Sequence, residues 1–599
     1  MTLPDTPLAP AFADTVVDAD VEAAIDAEAE ARAAARAPRR PAAPPVPAPP
    51  GGAAATGERA APIPTLDVAA VRARLLAREE IALLDVREED PYAQAHPLWA
   101  ANLPLSRIEI EAHRRIPRPD TVVVVYGTHD GEDLAPRAAR VLASIGYTRV
   151  HLLDGGLDAW RAAGGELFRD VNVPSKAFGE LVEHERGTPS LSATEVKALI
   201  DAGADAVVLD ARRFDEYRTM SIPTATSVPG AELVLRVRDL APDPATRVIV
   251  NCAGRTRSII GTQSLVNAGI PNPVAALRNG TIGWKLAGQA LDHGAARRAP
   301  AGASPEARRR AAADARRVAD RAGVRRVALD ALDALASDAD RRTTYRFDVR
   351  TPEEHAAGHL DGFANAPGGQ LVQETDHHAP VRGARIVLAD DDGVRASMTG
   401  SWLAQMGWEV HVVDPVPGAD AFVASDTGAP APDTVPSPEV EEIGPAALAL
   451  LLKRHEAVVI DVTASANYVQ RHVPGAWFAI RAQLAQALDR IGPAPVWVLT
   501  CGTSRLARFA AADLQRLLAG RGEPDAQVWV LDGGTSAWIA AGLPVEQGET
   551  RLATPRTDRY RRPYEGTDAP AEAMQAYLDW EFGLVAQLGR DGTHHFEVI

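Results

Sequence analysis

The run Val248-Ile249-Val250-Asn251-Cys252-Ala253-Gly254-Arg255-Thr256-Arg257-Ser258 decides how this chain reads. A β-branched stretch ends on a cysteine, a short Gly/Arg loop follows, and a helix is predicted from about Ser258. Such a junction aims backbone N–H groups and a helix N-terminus at one sulfur, with Arg255 and Arg257 nearby. Each feature favours a thiolate and the anion it would attack. The loop reads as a nucleophile in an anion cradle, with a thiol pKa expected in the range of about 3.5–7.5. Ala253 and Gly254 keep the loop small, so its N–H groups can approach the sulfur.

Working outward, the same pattern recurs in four copies. A strand ends on an aspartate in Leu83-Leu84-Asp85-Val86-Arg87, Val208-Leu209-Asp210-Ala211-Arg212, Arg346-Phe347-Asp348-Val349-Arg350 and Val459-Ile460-Asp461-Val462-Thr463. A second strand then carries a loop, over residues 122–126, 248–251, 386–389 and 496–500. A third strand closes on Gly156, Gly280 or Gly534 in the first, second and fourth copies, with Trp160, Trp284 or Trp538 four residues later. Short strands alternating with helices indicate a parallel sheet covered on both faces. Such α/β sheets place their sites at the C-terminal strand ends. The predicted fold class is α/β, four tandem units, each a parallel sheet with helices on both faces.

Residues 1–61 hold an Ala/Pro-rich tail, expected to be disordered because it cannot bury enough apolar area to offset its ordering entropy. The units span 62–170, 186–296, 322–414 and 439–549. A helical linker opened by Ser304-Pro305-Glu306 covers 297–321, its arginines read as a solvated face, and a Pro/Gly/Asp/Ser-rich linker covers 415–438. The C-terminal tail, 550–599, carries a stretch over 570–588 with Tyr577, Trp580 and Phe582 that is expected to dock on the body as a helix.

Composition narrows the function. A net charge of −17 with no lysine-rich face argues against general nucleic-acid binding. No apolar run reaches the ~18 residues of a membrane span, and no secretory pattern opens the chain. Two cysteines, Cys252 and Cys501, exclude a disulfide framework, which fits a reducing cytoplasm. The histidines show no ligand spacing, and His377-His378 and His594-His595 read as exposed pairs. No metal or organic cofactor is implied.

The Asp-x-Arg strand end, the segment from Glu216-Tyr217 to Ile222-Pro223, the Cys-x-x-x-x-Arg-Ser loop and the late Gly-then-Trp turn together resemble the rhodanese family of sulfurtransferases. The resemblance covers residues 62–549, and the second unit matches best. From Cys252 to Arg257 its loop has six residues, as in sulfur-transferring members; the related cell-cycle phosphatases have one more. The resemblance implies a Cys252 persulfide, formed from thiosulfate and discharged to a thiol or cyanide. The loop residues Ala253, Gly254, Arg255, Thr256, Arg257 and Ser258 would bind the donor, with Arg255 and Arg257 on its sulfonate oxygens. Asp210 and Arg212 read as structural support, Arg212 with Glu216 as a candidate partner, and Ser258 as either a helix cap or a donor to the persulfide. Gly127 and Asp390 stand at the sulfur position in the first and third units, which are expected to be silent. Cys501 with Arg505 is a possible second site, weakened by Leu506 and Thr463 where the second unit has arginines. Partners would be small sulfur-containing anions and thiols, and a protein or small-molecule sulfur acceptor. Alternatives are a sulfur relay fed by a partner and a non-catalytic repeat scaffold or redox sensor.

Overall fold

The computed structural model describes residues 62–129, 131–300, 302–337, 342–423, 435–566 and 568–599. The expected disordered tail and residues 424–434 of the second linker lie outside the described residues.

In the second unit the sheet order is Thr226–Ser227, Ala206–Asp210, Arg247–Asn251, Val274–Leu277, Ser190–Leu191, with every neighbouring pair parallel. Val248, Ile249 and Val250 are buried because both faces are covered. Ile249 packs with Tyr217, Ile222 and Trp284 on one face. Val248 and Val250 pack with Leu233, Leu265, Ala311 and Ala315 on the other. Asn251 pairs with Asp210 at the C-terminal edge, so the cysteine loop and the conserved-pattern aspartate emerge side by side.

The other three sheets repeat this order. The third runs Ala364–Asn365, Thr344–Asp348, Arg385–Ala389, Glu409–Val413, Arg325–Val327, and the fourth Trp477–Phe478, Val458–Asp461, Val496–Thr500, Gln527–Leu531, Glu441–Ile443. The first keeps its own strands parallel and has one addition. Strand Val381–Arg382, from the third repeat, pairs antiparallel with Ile81–Asp85. It uses backbone groups that an open sheet edge would leave unpaired.

Residues Ser437–Arg556, the fourth repeat, form one compact unit; Ile63–Pro436 and Thr557–Ile599 form another. Within the latter, linker helix Pro305–Arg321 starts at Ser304, whose side chain accepts from the Ala307 N–H. Its Ala311, Ala315 and Val318 share a core with Leu233 of the second repeat and Met398 of the third. Its arginines at 308–310, 316 and 317 are exposed. The docking stretch of the C-terminal tail is two helices, Ala571–Phe582 and Leu584–Asp591, meeting at Gly583. Among the described residues, no helix is long and apolar enough to cross a membrane.

Candidate active site

Cys252 follows strand Arg247–Asn251, and helix Thr256–Ala268 begins four residues later, slightly earlier than the sequence suggested. The Gly280 turn grips the loop from beneath. The Thr281 N–H donates to the Cys252 carbonyl (2.9 Å) and the Ile282 N–H to that of Ala253 (3.0 Å). Gly280 has φ +54°, and a Cβ there would lie 2.3 Å from the Cys252 carbonyl oxygen, so only glycine fits. Ser258 sits in the first helical turn and is not the cap. Its hydroxyl donates to the Arg255 carbonyl (2.8 Å) and accepts from the Cys252 thiol (3.4 Å).

The electrostatics correct one expectation, the direction of the thiol's shift. Cys252 is only 2% exposed. Burial pushes its thiol above the ordinary value, against the opposing pull of Arg257 and Ser258, where the sequence reading had it lowered. Both loop arginines are also held by carboxylates. Arg257 forks onto Glu216 at 2.7 and 2.8 Å. Burial would raise the Glu216 carboxyl, yet the Arg257 charge holds it down to about 2. Arg255 forks onto Glu180 at 2.7 and 2.8 Å, also bonds Glu183 and Asn279, and lies beneath the Phe582 ring at 4.1 Å. These bonds take four of its five N–H groups and make Arg255 a strut of the loop. Thr256 packs against linker helix Val173–Arg186, where a Cβ on Gly179 would come within 2.9 Å of it.

Arg212 does not pair with Glu216. Its guanidinium forks onto Asp210 at 2.9 and 2.7 Å and caps the Met220 carbonyl at 2.6 Å. Arg87 and Arg350 hold Asp85 and Asp348 in the same way, so the Asp-x-Arg pattern is a structural clamp repeated in three of the units. Trp160, Trp284 and Trp538 are buried, each donating to a carbonyl six residues on.

Four match regions of one family model, described as Rhodanese-like domain, cover residues 68–163, 192–287, 329–415 and 444–541. The chain belongs to the rhodanese-like family. A crystal structure of a thiosulfate sulfurtransferase from Pseudomonas aeruginosa is 65% identical, with TM-score 0.86, covering 90% of this chain and 100% of that one. A thiosulfate sulfurtransferase of Azotobacter vinelandii is 29% identical over 213 residues, 32% of this chain and 77% of that protein. A second Pseudomonas aeruginosa relative of the same description is 32% identical over 162 residues, 24% of this chain and 58% of that protein. The chain is thus a rhodanese-type enzyme of four tandem domains.

Sequence reasoning did not reach the groups that the C-terminal segment brings to the second rhodanese domain. Met574, Tyr577 and Leu578 pack on Ile282. A Cβ on Gly254 would meet Tyr577 at 3.2 Å and Glu581 at 3.4 Å, so the segment seals that side of the loop. The buried Lys176 ammonium, bonded to Asp170 at 2.6 Å, lies 5.2–5.7 Å from the rings of Tyr564, Tyr577 and Trp580 and pins the segment down. No local pattern announces these contacts, because their partners are hundreds of residues away in the chain. His594 and His595 belong to this docked tail and are half-buried, contrary to the exposed reading; of the other pair His377 is exposed and His378 half-buried.

Glu581 is fully buried, its Oε1 accepting from the Tyr577 hydroxyl (2.7 Å) while Oε2 has no hydrogen-bond partner among the described residues. Burial and the neighbouring Glu180 push it up to about 8, against the pull of Lys176 and Arg255. A carboxyl raised in the folded state holds a proton that the undocked form has lost, so docking weakens as pH rises from about 4.5 to about 8. Hydrogen exchange is expected to show protection of Ala571–Phe582 falling over that interval, after correction for intrinsic exchange, and Glu581→Gln is expected to remove the slope. An equal slope in both proteins would contradict the assignment.

The other three loops lack parts of this arrangement. In the first domain Gly127 stands at the sulfur position and a small hairpin, Thr128–His129 with Glu132–Asp133, replaces the cradle. A Cβ on its Gly156 would meet nothing within 4 Å. In the third domain the cradle is filled from within. Asp390 accepts from the Gly393 and Ala396 N–H groups (2.9 and 2.8 Å), and Asp392 from those of Val394 and Arg395 (2.7 and 3.0 Å). Burial and Asp392 push the Asp390 carboxyl up. Arg395 keeps its Glu354 partner at 2.6 Å, so the loop retains its shape without a sulfur.

In the fourth domain Cys501 is buried and its carbonyl accepts from the Thr535 N–H (2.8 Å), matching the second domain. Leu506 and Asn467, however, occupy the positions of Arg257 and Glu216, so both halves of that ion pair are gone. Thr463 likewise leaves Asp461 without an arginine clamp, and burial raises that carboxyl to about 7. Between about 4 and 7 the folded state keeps a proton the unfolded state sheds, so this domain loses stability as pH rises. Asp461→Asn is expected to stabilise the fourth domain above pH 7 by on the order of 4 kcal/mol, at 1.36 kcal/mol per unit. Denaturant unfolding of the full chain at pH 5 and 8, followed by exchange in Val458–Asp461, measures it; no gain at pH 8 would refute it.

Proposed function

We propose that this chain is a sulfurtransferase that moves sulfane sulfur from thiosulfate through a Cys252 persulfide to a thiol or cyanide acceptor. One observation carries the reading: of the four loops, the second alone joins a cysteine to the arginine–glutamate pair, Arg257–Glu216. The relatives described as thiosulfate sulfurtransferases agree with it.

The Cys252 thiolate attacks the outer sulfur of thiosulfate. A Cys252–sulfur bond forms, the bond to the sulfonate sulfur breaks, and sulfite leaves with the electron pair. Arg257 draws the dianion in, since a charged fork suits the paired sulfonate oxygens. Glu216 fixes the guanidinium plane from behind. The thiol gives its proton to solvent before the attack, so no base acts during it and the thiolate fraction sets the rate. Ser258 takes the resting thiol's hydrogen bond and can turn its hydroxyl to the persulfide once that hydrogen is gone. The test is intact mass after mixing reduced protein with thiosulfate. A gain of one sulfur atom supports the reading; no gain would move it to a relay fed by a partner protein.

A further inference from the structure

The loop is closed on its Gly254 side and borders a cavity at its Arg257 end. Tyr577 and Glu581 seal the Gly254 side. On the Arg257 side lies a cavity of about 380 Å³. Its walls come from three parts of the chain: Arg257 and Glu216 from the second domain, Glu374 from the third, and Arg559, Arg562 and Tyr564 from the C-terminal segment. Thiosulfate has five heavy atoms and would leave most of this space empty, since pockets for drug-sized molecules begin near about 300 Å³. The lining is polar and of both signs. Arg212, Arg213 and Arg257 with Asp215 and Glu216 come from the second domain, Arg559 and Arg562 with Glu565 from the segment, and Glu374 from the third domain. Arg257 and Arg562 are mostly buried; Arg257 pairs with Glu216, while Arg559 and Arg562 share Glu565, so the two segment arginines carry one net positive charge between them and that carboxylate.

We propose that this cavity is the acceptor site and that it binds a peptide-sized zwitterionic thiol, its carboxylates toward Arg559 and Arg562 and its ammonium toward Glu374. The proposal rests on the persulfide reading above. The bound thiolate attacks the outer sulfur of the Cys252–S–SH group. A bond forms between acceptor sulfur and sulfane sulfur, the bond to Cys252 Sγ breaks, and its electron pair returns to Cys252 as thiolate. The product is the acceptor persulfide, which keeps the proton, and no outside oxidant or reductant is consumed. This assigns work to the third domain and the tail, neither of which carries a cysteine.

The test uses the full chain, loaded from thiosulfate or from inorganic polysulfide, with loss of the extra sulfur timed by intact mass. Glutathione, with two carboxylates and an ammonium, is compared with 2-mercaptoethanol at equal thiolate concentration. Wild type is expected to unload saturably and at least about tenfold faster with glutathione, the scale of one charge-assisted hydrogen bond. Arg562→Gln and Glu374→Gln, on separate walls, are each expected to cut that preference about tenfold, through KM more than kcat. Equal, unsaturating rates with both thiols in wild type would overturn the proposal, as would variants that slow both thiols alike. Loading by polysulfide but not thiosulfate would sink the thiosulfate reading and leave the acceptor test in place. If neither donor loads Cys252, both readings fall.

Discussion

Cys252→Ser is expected to abolish sulfur transfer, lowering turnover by on the order of 10⁴-fold or more, as for loss of a covalent nucleophile. A serine hydroxyl does not ionise in the working pH range and forms no persulfide, so the mass gain from thiosulfate should vanish with the activity. Cys501→Ser should keep the gain, because the fourth loop has leucine and asparagine where the second has Arg257 and Glu216. In the wild type, burial holds the thiol above its ordinary value of 9.0. The thiolate fraction, and with it the loading rate, should therefore rise about tenfold per pH unit through the neutral range. Stopped-flow loading with thiosulfate between pH 6 and 8.5 measures this slope. A flat profile would show that the thiol ionises far more readily than its buried position dictates. Retained loading in Cys252→Ser would remove the second domain from the chemistry.

Arg257→Gln carries the second large effect. Arg257 is the group that the mechanism asks to meet the donor's sulfonate, and loss of one such stabilising donor costs about 10²–10³-fold in rate. The substitution also strands Glu216, a carboxylate at present held down to about 2 by that arginine. Without its partner the Glu216 carboxyl should rise, and with it the Cys252 thiol, which Arg257 now helps to ionise. Alkylation of Cys252 by iodoacetamide as a function of pH should therefore shift upward in Arg257→Gln, while Arg257→Lys recovers the charge but not the fork. The paired substitution with Glu216→Gln separates the two effects. It should relieve the stranded carboxylate and recover stability without recovering thiosulfate turnover. Full turnover in the double variant would show that Arg257 is structural.

Much of this architecture was written in local pattern. β-branched runs ending on aspartate, each followed by a loop and a helix, dictate parallel strands with their loops at one edge, because strand pairing and helix packing respond to nearest neighbours. The pattern also singled out Cys252 over Gly127 and Asp390, since a sulfur is either present or absent at that position. It placed Gly280 in the recurring turn before a tryptophan, and the structure supplied the reason, the Cys252 carbonyl against its Cα. What it could not determine was the electrostatic state of the loop. That depends on distant charges: Glu180 and Glu183 on the linker helix hold Arg255, and Glu581 from the far end of the chain lies against Gly254. Burial reversed the expected direction of the thiol's shift, and burial is a property of the assembled layers. The strand Val381–Arg382, lent by the third repeat to the first, is a second example. A two-residue strand has almost no sequence signal of its own, and its partner is chosen by which sheet edge the tertiary fold brings within reach. The sequence alone thus determined the repeat, the fold of each unit and the sulfur. Only the tertiary structure decided what surrounds that sulfur, because long-range desolvation and charge follow from packing rather than from any local run of residues.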